Sequence, residues 1–466
     1  VSGRQQIEVD RVICGDCLEV LRSFPDNSVD AVVTDPPYGL NEIKDLPGLL
    51  RAWLEGEDGS EWQTKGFMGK GWDKVPPPSV WREVLRVMKP GAYILCFAGC
   101  RTVDLMGISL RLAGFEDNNL LAWLQGQGFP KATDVGKMID RAAGAERKVV
   151  GYRESLGYPD GATAVERNRK GTKGHAVGME VAPGGVPITA PATPEAKKWD
   201  GWKYGKQALK PAMEPILLMQ KPFERGLAGY QNVLKWGTGA LNIEACRIPV
   251  MEGVRPLRKK YAAHPANPAA SSYDMGSGYA AGITTRGRFP ANVLLDEAAA
   301  QALDKQSGER RAAPCGPNAG LGFWRSGNMY RSSEQRGYLD SEGASRFFYV
   351  AKASTRERNA GLDERNLHPT VKPLELMRYL VRLITPPNGV VLDPFCGTGT
   401  TCIAAMLEGF HYIGVDFEPK YCEWARKRIA WYKAHPRKTR RRPVQAKIVE
   451  ISLFEEGVET EEVKCW

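Results

Sequence analysis

The chain has 466 residues, 42% of them hydrophobic, enough for a sizeable core and for one large or two to three ordinary domains, which excludes a peptide or a mini-scaffold. Lys and Arg number 64 against 54 Asp and Glu, a net charge of +10 that makes a polyanion such as nucleic acid a fitting partner. The longest apolar run, 91–100, is well short of a bilayer span and the charged opening stretch has no apolar signal core, so a cytoplasmic protein with no membrane partner is expected.

Fifty glycines and 32 prolines describe a folded, loop-rich chain rather than low complexity. Ten cysteines are too sparse for a disulfide scaffold. Cys14 and Cys17, and Cys96 and Cys100, have metal-like spacing but no second Cys or His pair at finger distance, so no metal is expected.

Strand and helix signals alternate from 6 to 130. Residues 28–34 form an apolar run of strand length, and 79–88 carry apolar residues at helical spacing. Pro90-Gly91 is expected to stop that helix before a second strand at 92–97; such alternation marks a parallel sheet. From about 131 to 350 the texture turns to Gly, Pro, Ser, Arg and Lys, as in 157–185 and 267–287, and long loops are expected. Two apolar islands stand out there: 214–219, read as a strand of the core sheet, and 230–234, whose type stays open. Periodicity returns at 368–432, with helices at 373–384 and 401–407 and strands at 389–393 and 411–416, a compact βαβ unit. The tail carries a basic run (Lys433, Arg437, Lys438, Arg440, Arg441, Arg442) and then glutamates. It reads either as a mutually neutralising, solvated end or as a phosphate contact.

Two turns carry chemistry. Asp35-Pro36-Pro37-Tyr38 follows a buried-strand pattern directly, at the carboxyl end of a strand, where open α/β sheets place their sites. The prolines fix the backbone and remove two donors, so the Asp35 carboxylate and Pro36 carbonyl can take both protons of one amino group while Tyr38 offers a flat face to a base. Without such a ligand the same residues read as a stiffened turn with a core tyrosine. The second turn, 393–401, lies between a strand and a helix, and Gly397 and Gly399 let a ligand approach the backbone. The third glycine of the dinucleotide fingerprint and the P-loop lysine are both missing, which disfavours a pyrophosphate. Asp416 ends the next strand nineteen positions after Gly397, where a carboxylate can hold both hydroxyls of a ribose. A nucleoside without pyrophosphate, such as S-adenosylmethionine, fits both facts.

Together these segments resemble the β-class amino-directed DNA methyltransferases: catalytic turn first, target recognition in the middle, cofactor loop last. Asp35, Pro36, Pro37 and Tyr38 match the catalytic motif. Asp393, Phe395, Cys396, Gly397, Thr398, Gly399, Thr400, Thr401, Asp416 and Phe417 fall in the cofactor motifs. Gly15-Asp16-Cys17-Leu18 looks like the cofactor-adenine segment, and His368, Thr370 and Lys372 belong to a segment similar to the one that closes on the methionine end. Stretches at 66–73, 128–131, 209–215 and 288–292 resemble phage and prophage members.

The resemblance implies a Rossmann-like methyltransferase sheet in circularly permuted order. Residues 1–130 form its catalytic half, 131–345 a loop-rich recognition region with some core strand near 209–222, 346–432 the cofactor half, and 433–466 a tail. It implies S-adenosylmethionine as cofactor and methylation of adenine N6 in double-stranded DNA. Cytosine N4 on the same scaffold is the alternative, and an inactive DNA-binding relative the other-class reading. A homodimer is left open and no partner endonuclease is specified. Within the middle region, Lys197, Lys198, Lys203, Arg255, Arg258, Lys259 and Lys260, interleaved with Trp199, Trp202, Tyr204 and Tyr261, are the expected DNA contacts; padding of the fold is the plainer reading. Cys315, between Pro314 and Gly316, superficially resembles the nucleophile of ring-carbon cytosine methyltransferases but lacks a buried strand beside it.

Overall fold

The computed structural model describes residues 7–40, 42–63, 71–126, 128, 131–153, 186–249, 255–256, 283–284, 287–311, 341–351, 355–366, 368 and 371–435. The chain divides into two units, Val1–Gln127 with Met213–Trp466, and Gly128–Ala212.

The larger unit is built on a nine-stranded sheet. In chain order its strands are β1 (Arg11–Cys14), β2 (Val29–Thr34), β3 (Met88–Phe97), β4 (Glu116–Leu124), β5 (Met213–Gln220), β6 (Val293–Asp296), β7 (Tyr349–Ala351), β8 (Val390–Asp393) and β9 (His411–Asp416). Across the sheet they run β1-β9-β8-β2-β3-β5-β4-β6-β7. All pairings are parallel except those of β5, which lies antiparallel between β3 and β4. The two strands latest in the chain, β8 and β9, sit between β1 and β2, so the parallel order is circularly permuted.

Every residue of β2 is buried, as a strand covered on both faces requires. Alternate side chains feed two apolar clusters. Ala31, Val33, Leu95 and Phe97 pack with helices Leu374–Ile384 and Thr400–Glu408. Val32, Ile94 and Cys96 pack with helices Leu46–Glu55, Pro78–Val87 and Val103–Ala113 on the other face. Parallel register then brings strand ends together: Cys14 pairs with Asp416, and Asp393 with Gly414. The chain leaves β8 towards β9 on one side, while β2 leads to β3 on the other. The cleft between β8 and β2 is therefore the switch point where such sheets bind ligands.

Sequence and structure differ in places. The helix expected at 79–88 is Pro78–Val87, and β3 begins at once at Met88. Pro90-Gly91 therefore lies within the strand, at a register shift rather than at a boundary; Gly91 has φ +80° and donates to the Lys221 carbonyl. Residues 230–234 belong to helix Gly229–Trp236. Part of the region read as loops extends the sheet, through β6 and β7. These strands have four and three residues, too short to announce themselves amid Gly- and Pro-rich neighbours.

The smaller unit holds helices Val135–Ala142 and Pro194–Lys198 and two antiparallel strand pairs, Lys131–Asp134 with Lys203–Gln207 and Val149–Arg153 with Val186–Thr189. Its centre is Asp140, only 1% exposed. The Arg147 guanidinium, the Ala192 and Thr193 N–H groups and the Thr193 hydroxyl all donate to it. Burial pushes this carboxyl up, but the donors outweigh it and hold it at about 2. No described helix is long and apolar enough to cross a membrane.

Candidate active site

β2 ends at Thr34 and the chain turns through Asp35-Pro36-Pro37-Tyr38. Three contacts pin the turn. The Thr102 hydroxyl donates to the Tyr38 carbonyl at 2.6 Å, and Gly39 N–H donates to Asp73 at 3.0 Å. Thr34 Oγ1 donates to Asp393 Oδ1 at 2.8 Å, tying the turn to the end of β8 across 359 positions of sequence. Gly39 has φ +62° and a Cβ there would strike Val75 at 2.6 Å, so no other residue fits.

The Asp35 carboxylate is the centre of a buried charge cluster. Tyr38 OH donates to Asp35 Oδ1 at 2.7 Å. Lys372 Nζ stands 3.0 Å from the same oxygen, 3.0 Å from Tyr38 OH and 3.1 Å from Glu214 Oε2. The ammonium also lies 4.9 Å from the centre of the Phe97 ring and 5.4 Å from that of Tyr38. Burial raises Asp35 above the usual carboxylate range; Lys372 pulls it down and Glu214 pushes it up. Burial alone would lower Lys372, but the two carboxylates prevail and keep it cationic. Burial and Asp35 push the Tyr38 phenol far above its ordinary value, so it stays a donor.

The glycine loop follows β8. Gly397 (φ +51°) and Gly399 (φ +77°) adopt left-handed backbone, and an added Cβ would meet His368 Nε2 and Ala425 Cβ, each at 2.9 Å. The glycines thus also serve the chain's own packing, beyond the ligand approach expected of them. Asp416 accepts Gly397 N–H at 2.8 Å and Glu418 N–H at 2.9 Å, fixing its carboxylate beside the loop. Asp393 accepts from the Thr401 hydroxyl at 2.5 Å and Phe395 N–H at 3.1 Å; burial outweighs these donors and raises it to about 7. Burial, with Lys372, Arg358 and Arg428 nearby, lowers His368 to about 4, so its imidazole is neutral at pH 7.

One cavity of about 290 Å³ joins the two turns. It is lined by the whole Asp35–Tyr38 turn, by the carboxyl end of β8 and its loop through Thr401, and by Asp16, Cys17, His368, Lys372, Asp416 and Phe417; Gly399 does not line it. Asp16 also caps helix Cys17–Arg22, accepting from Leu18 and Glu19 N–H. Burial raises the Cys17 thiol to about 12 and pushes Cys96 well above the ordinary thiol value, and a hydrogen bond with Cys402 together with burial does the same for Cys396, so none is a thiolate nucleophile at pH 7. Lys372, grouped from sequence with the cofactor segment, has its ammonium on the Asp35 turn. Tyr38, expected to show a face to a base, has its hydroxyl engaged with Asp35 and Lys372.

Thr370, Arg258, Lys259, Lys260, Tyr261 and Cys315 lie outside the described residues, as does the tail beyond 435. Lys197, Lys198 and Lys203 are exposed on the smaller unit, with Trp199, Trp202 and Tyr204. The backbone of Arg255 pairs with Thr284 in a two-residue ladder.

Sequence reasoning missed three participants. Glu214 sits at the start of an apolar strand, and nothing in its local pattern couples it to Lys372. Arg428, 1% exposed, reaches Thr398 Oγ1 at 3.0 Å and Thr400 Oγ1 at 3.2 Å and clamps the glycine loop. Tyr421 lines the cavity and meets the His368 ring edge-on at 4.6 Å. Arg428 and Tyr421 lie on one helix, Pro419–Ala434, whose many Lys and Arg residues give no sign in sequence that this arginine is buried.

Residues 197–427 match the DNA methylase family model N6_N4_Mtase, a span that holds the glycine loop, Asp416 and Glu214 but not the Asp35 turn. YubD of Escherichia coli (strain K12), provisionally named a methylase, is 43% identical over 63 residues, 14% of this chain and 28% of its own length. The Type II methyltransferase M.HinfI of Haemophilus influenzae is 37% identical over 100 residues, 21% of this chain and 28% of its own. M.HindIII of Haemophilus influenzae, another Type II methyltransferase, is 20% identical over 425 residues, 88% of this chain and 91% of its own. Among solved structures, the cytosine-N4-specific PvuII DNA methyltransferase is 14% identical with a TM-score of 0.38, over 91% of this chain and 87% of that one. Residues 197–427, just under half of the chain, carry its match to the N6/N4 family of DNA methylases.

Proposed function

We propose that the protein transfers a methyl group from S-adenosylmethionine to the exocyclic N6 amine of adenine at a defined sequence in double-stranded DNA. The observation that carries this reading is the single cavity in which the Asp35 carboxylate shares walls with the glycine loop and Asp416. The residues fit the cofactor. Carboxylates at Asp16 and Asp416 beside the apolar faces of Phe395 and Phe417 suit a nucleoside, and further carboxylates at Asp35 and Asp393 suit a cationic tail. Bound there, the cofactor would supply an electrophilic methyl group on a sulfonium sulfur, which would keep the bonding electron pair.

The rest falls to the chain's own groups. Asp35 accepts one amine N–H and the Pro36 carbonyl the other, which frees the nitrogen lone pair from the ring for in-line attack. In this reading the amine itself is the nucleophile. An amine stacked inside a duplex cannot reach a strand-end cavity, so the target base is extruded, with the Tyr38 ring as part of its seat. The exposed Lys197, Lys198 and Lys203 with Trp199, Trp202 and Tyr204 supply phosphate contacts and stacking faces. The named Type II methyltransferases among the relatives support a place in restriction–modification.

Expression in a host free of DNA methylation, followed by sequencing that distinguishes modified bases, tests the reading. N6-methyladenine in one recurring context is expected; N4-methylcytosine would transfer it to the alternative base. No modified base, with folded protein present, would refute it.

A further inference from the structure

Lys372 is flanked by two carboxylates at nearly equal distance, Asp35 at 3.0 Å and Glu214 at 3.1 Å, and its third contact is Tyr38 OH. One N–H of the ammonium goes to the Tyr38 hydroxyl, and the two carboxylates face the cation as ion pairs. The Lys372 side chain is 7% exposed, Asp35 16% and Glu214 28%. One cation against two carboxylates leaves a net negative charge in a water-poor site. Had Lys372 faced Asp35 alone, the pair would be neutral, and the target amine would compete with a fully committed ammonium for the same oxygen. Glu214 comes from β5, the one antiparallel strand, where it pairs with Trp123 on β4.

We propose that Glu214 is a positioning residue for methyl transfer: by sharing the Lys372 ammonium it weakens that cation's hold on Asp35, leaves the Asp35 carboxylate a more basic acceptor for the target amine, and provides the exit for the proton that the methylated amine must lose. This rests on the amino-methyltransferase reading and deepens it. The proton balance closes within the cluster. The methylated nitrogen gives one proton to Asp35, Lys372 passes one of its own to Glu214, and Asp35 returns its proton to Lys372. Glu214, partly exposed, releases the proton to water. Every group returns to its starting charge.

The groups that face Asp35 fix the sign of the test. They are Lys372, Glu214 and Tyr38, with Asp393 across the turn and Cys96 on β3. Of these, Tyr38 and Cys96 stay protonated, and after burial Glu214 is the charge that pushes Asp35 up. Infrared difference spectra against pH, on the full chain without cofactor or DNA, report Asp35 directly once its carboxyl band is identified by loss in Asp35→Asn. Glu214→Gln should lower the Asp35 midpoint by roughly one unit or more, and Lys372→Met should raise it. In single-turnover transfer to DNA, the acid limb for Glu214→Gln should move down by the same amount, and the plateau rate should fall on the order of tenfold. Glu214→Asp, which keeps the charge, should hold the midpoint near wild type. An unchanged infrared midpoint in folded Glu214→Gln overturns the proposal. If that variant does not fold, a Lys372→Met midpoint that fails to rise overturns it instead. Infrared shifts as expected, with no transfer by the wild type, would sustain the cluster and defeat the methylation reading alone.

Discussion

The two units handle charge in opposite ways. In the larger one, charged side chains near the sheet's carboxyl edge are turned inward and committed: Asp35 to Lys372 and Tyr38, Asp393 to Thr34 and Thr401, Arg428 to the glycine loop. In the smaller one, Asp140 and Arg147 form the single strongly buried pair among the described ionic contacts, while Lys197, Lys198 and Lys203 face outward beside exposed aromatics. Inward charge is costly to desolvate and is sustained only where geometry satisfies it, which suits chemistry that demands a fixed constellation. Outward lysines and tryptophans cost little and adapt to a polymer surface, which suits an address-reading role.

The largest effect should come from the inward set. Asp35→Ala is expected to abolish transfer while leaving cofactor affinity within about an order of magnitude, since the nucleoside contacts proposed for Asp16 and Asp416 are kept. Transfer assays and calorimetry on the same preparation check this, and near-wild-type transfer would break the assignment. Next comes Asp393, raised by burial to about 7 against 3.8 for an exposed aspartate. A raised carboxyl favours its neutral form, so its contribution is most stabilising below about pH 4 and is lost as pH climbs to about 7. The total is on the order of 4 kcal/mol. Asp393→Asn should remove that slope from denaturation midpoints, and a slope that persists would place the burden elsewhere.

Asp416→Ala should weaken cofactor binding by roughly 1–3 kcal/mol, because the ribose hydroxyls and the Gly397 and Glu418 N–H groups all lose their acceptor. Unchanged affinity by calorimetry would put the ribose elsewhere. The smallest effect belongs to the outward set. Replacing Lys197, Lys198 and Lys203 by Ala should reduce the salt slope of DNA binding by about 0.9 for each phosphate that is no longer neutralised, without altering cofactor affinity. A parallel loss of cofactor binding would contradict the division of labour.

That division also decided what could be read in advance. The Asp35–Tyr38 turn, Gly397, Gly399 and Asp416 were legible because strand-end turns and left-handed loops need particular residues within a few positions of one another. The sheet was legible where strands are long and apolar, as at 28–34 and 411–416. Lys372 could be placed in a motif but not on its carboxylates, because Asp35, Glu214 and Lys372 come from three segments that only the fold brings together. Arg428 was hidden for the same reason: an arginine within Lys- and Arg-rich helical sequence looks solvated, and only packing against the glycine loop buries it. Strands β6 and β7 were missed because their few apolar residues gain meaning only from neighbours already in the sheet.

The central claim is that one cavity joins a nucleoside cofactor to an exocyclic amine held at Asp35. The most direct measurement incubates the purified protein with DNA and methyl-labelled S-adenosylmethionine, digests the DNA and identifies the labelled nucleoside. The account predicts label on an exocyclic amine, as N6-methyladenine, present with wild type and absent with Asp35→Ala. Label on a ring carbon, or DNA left unlabelled by protein that binds the cofactor, would contradict it.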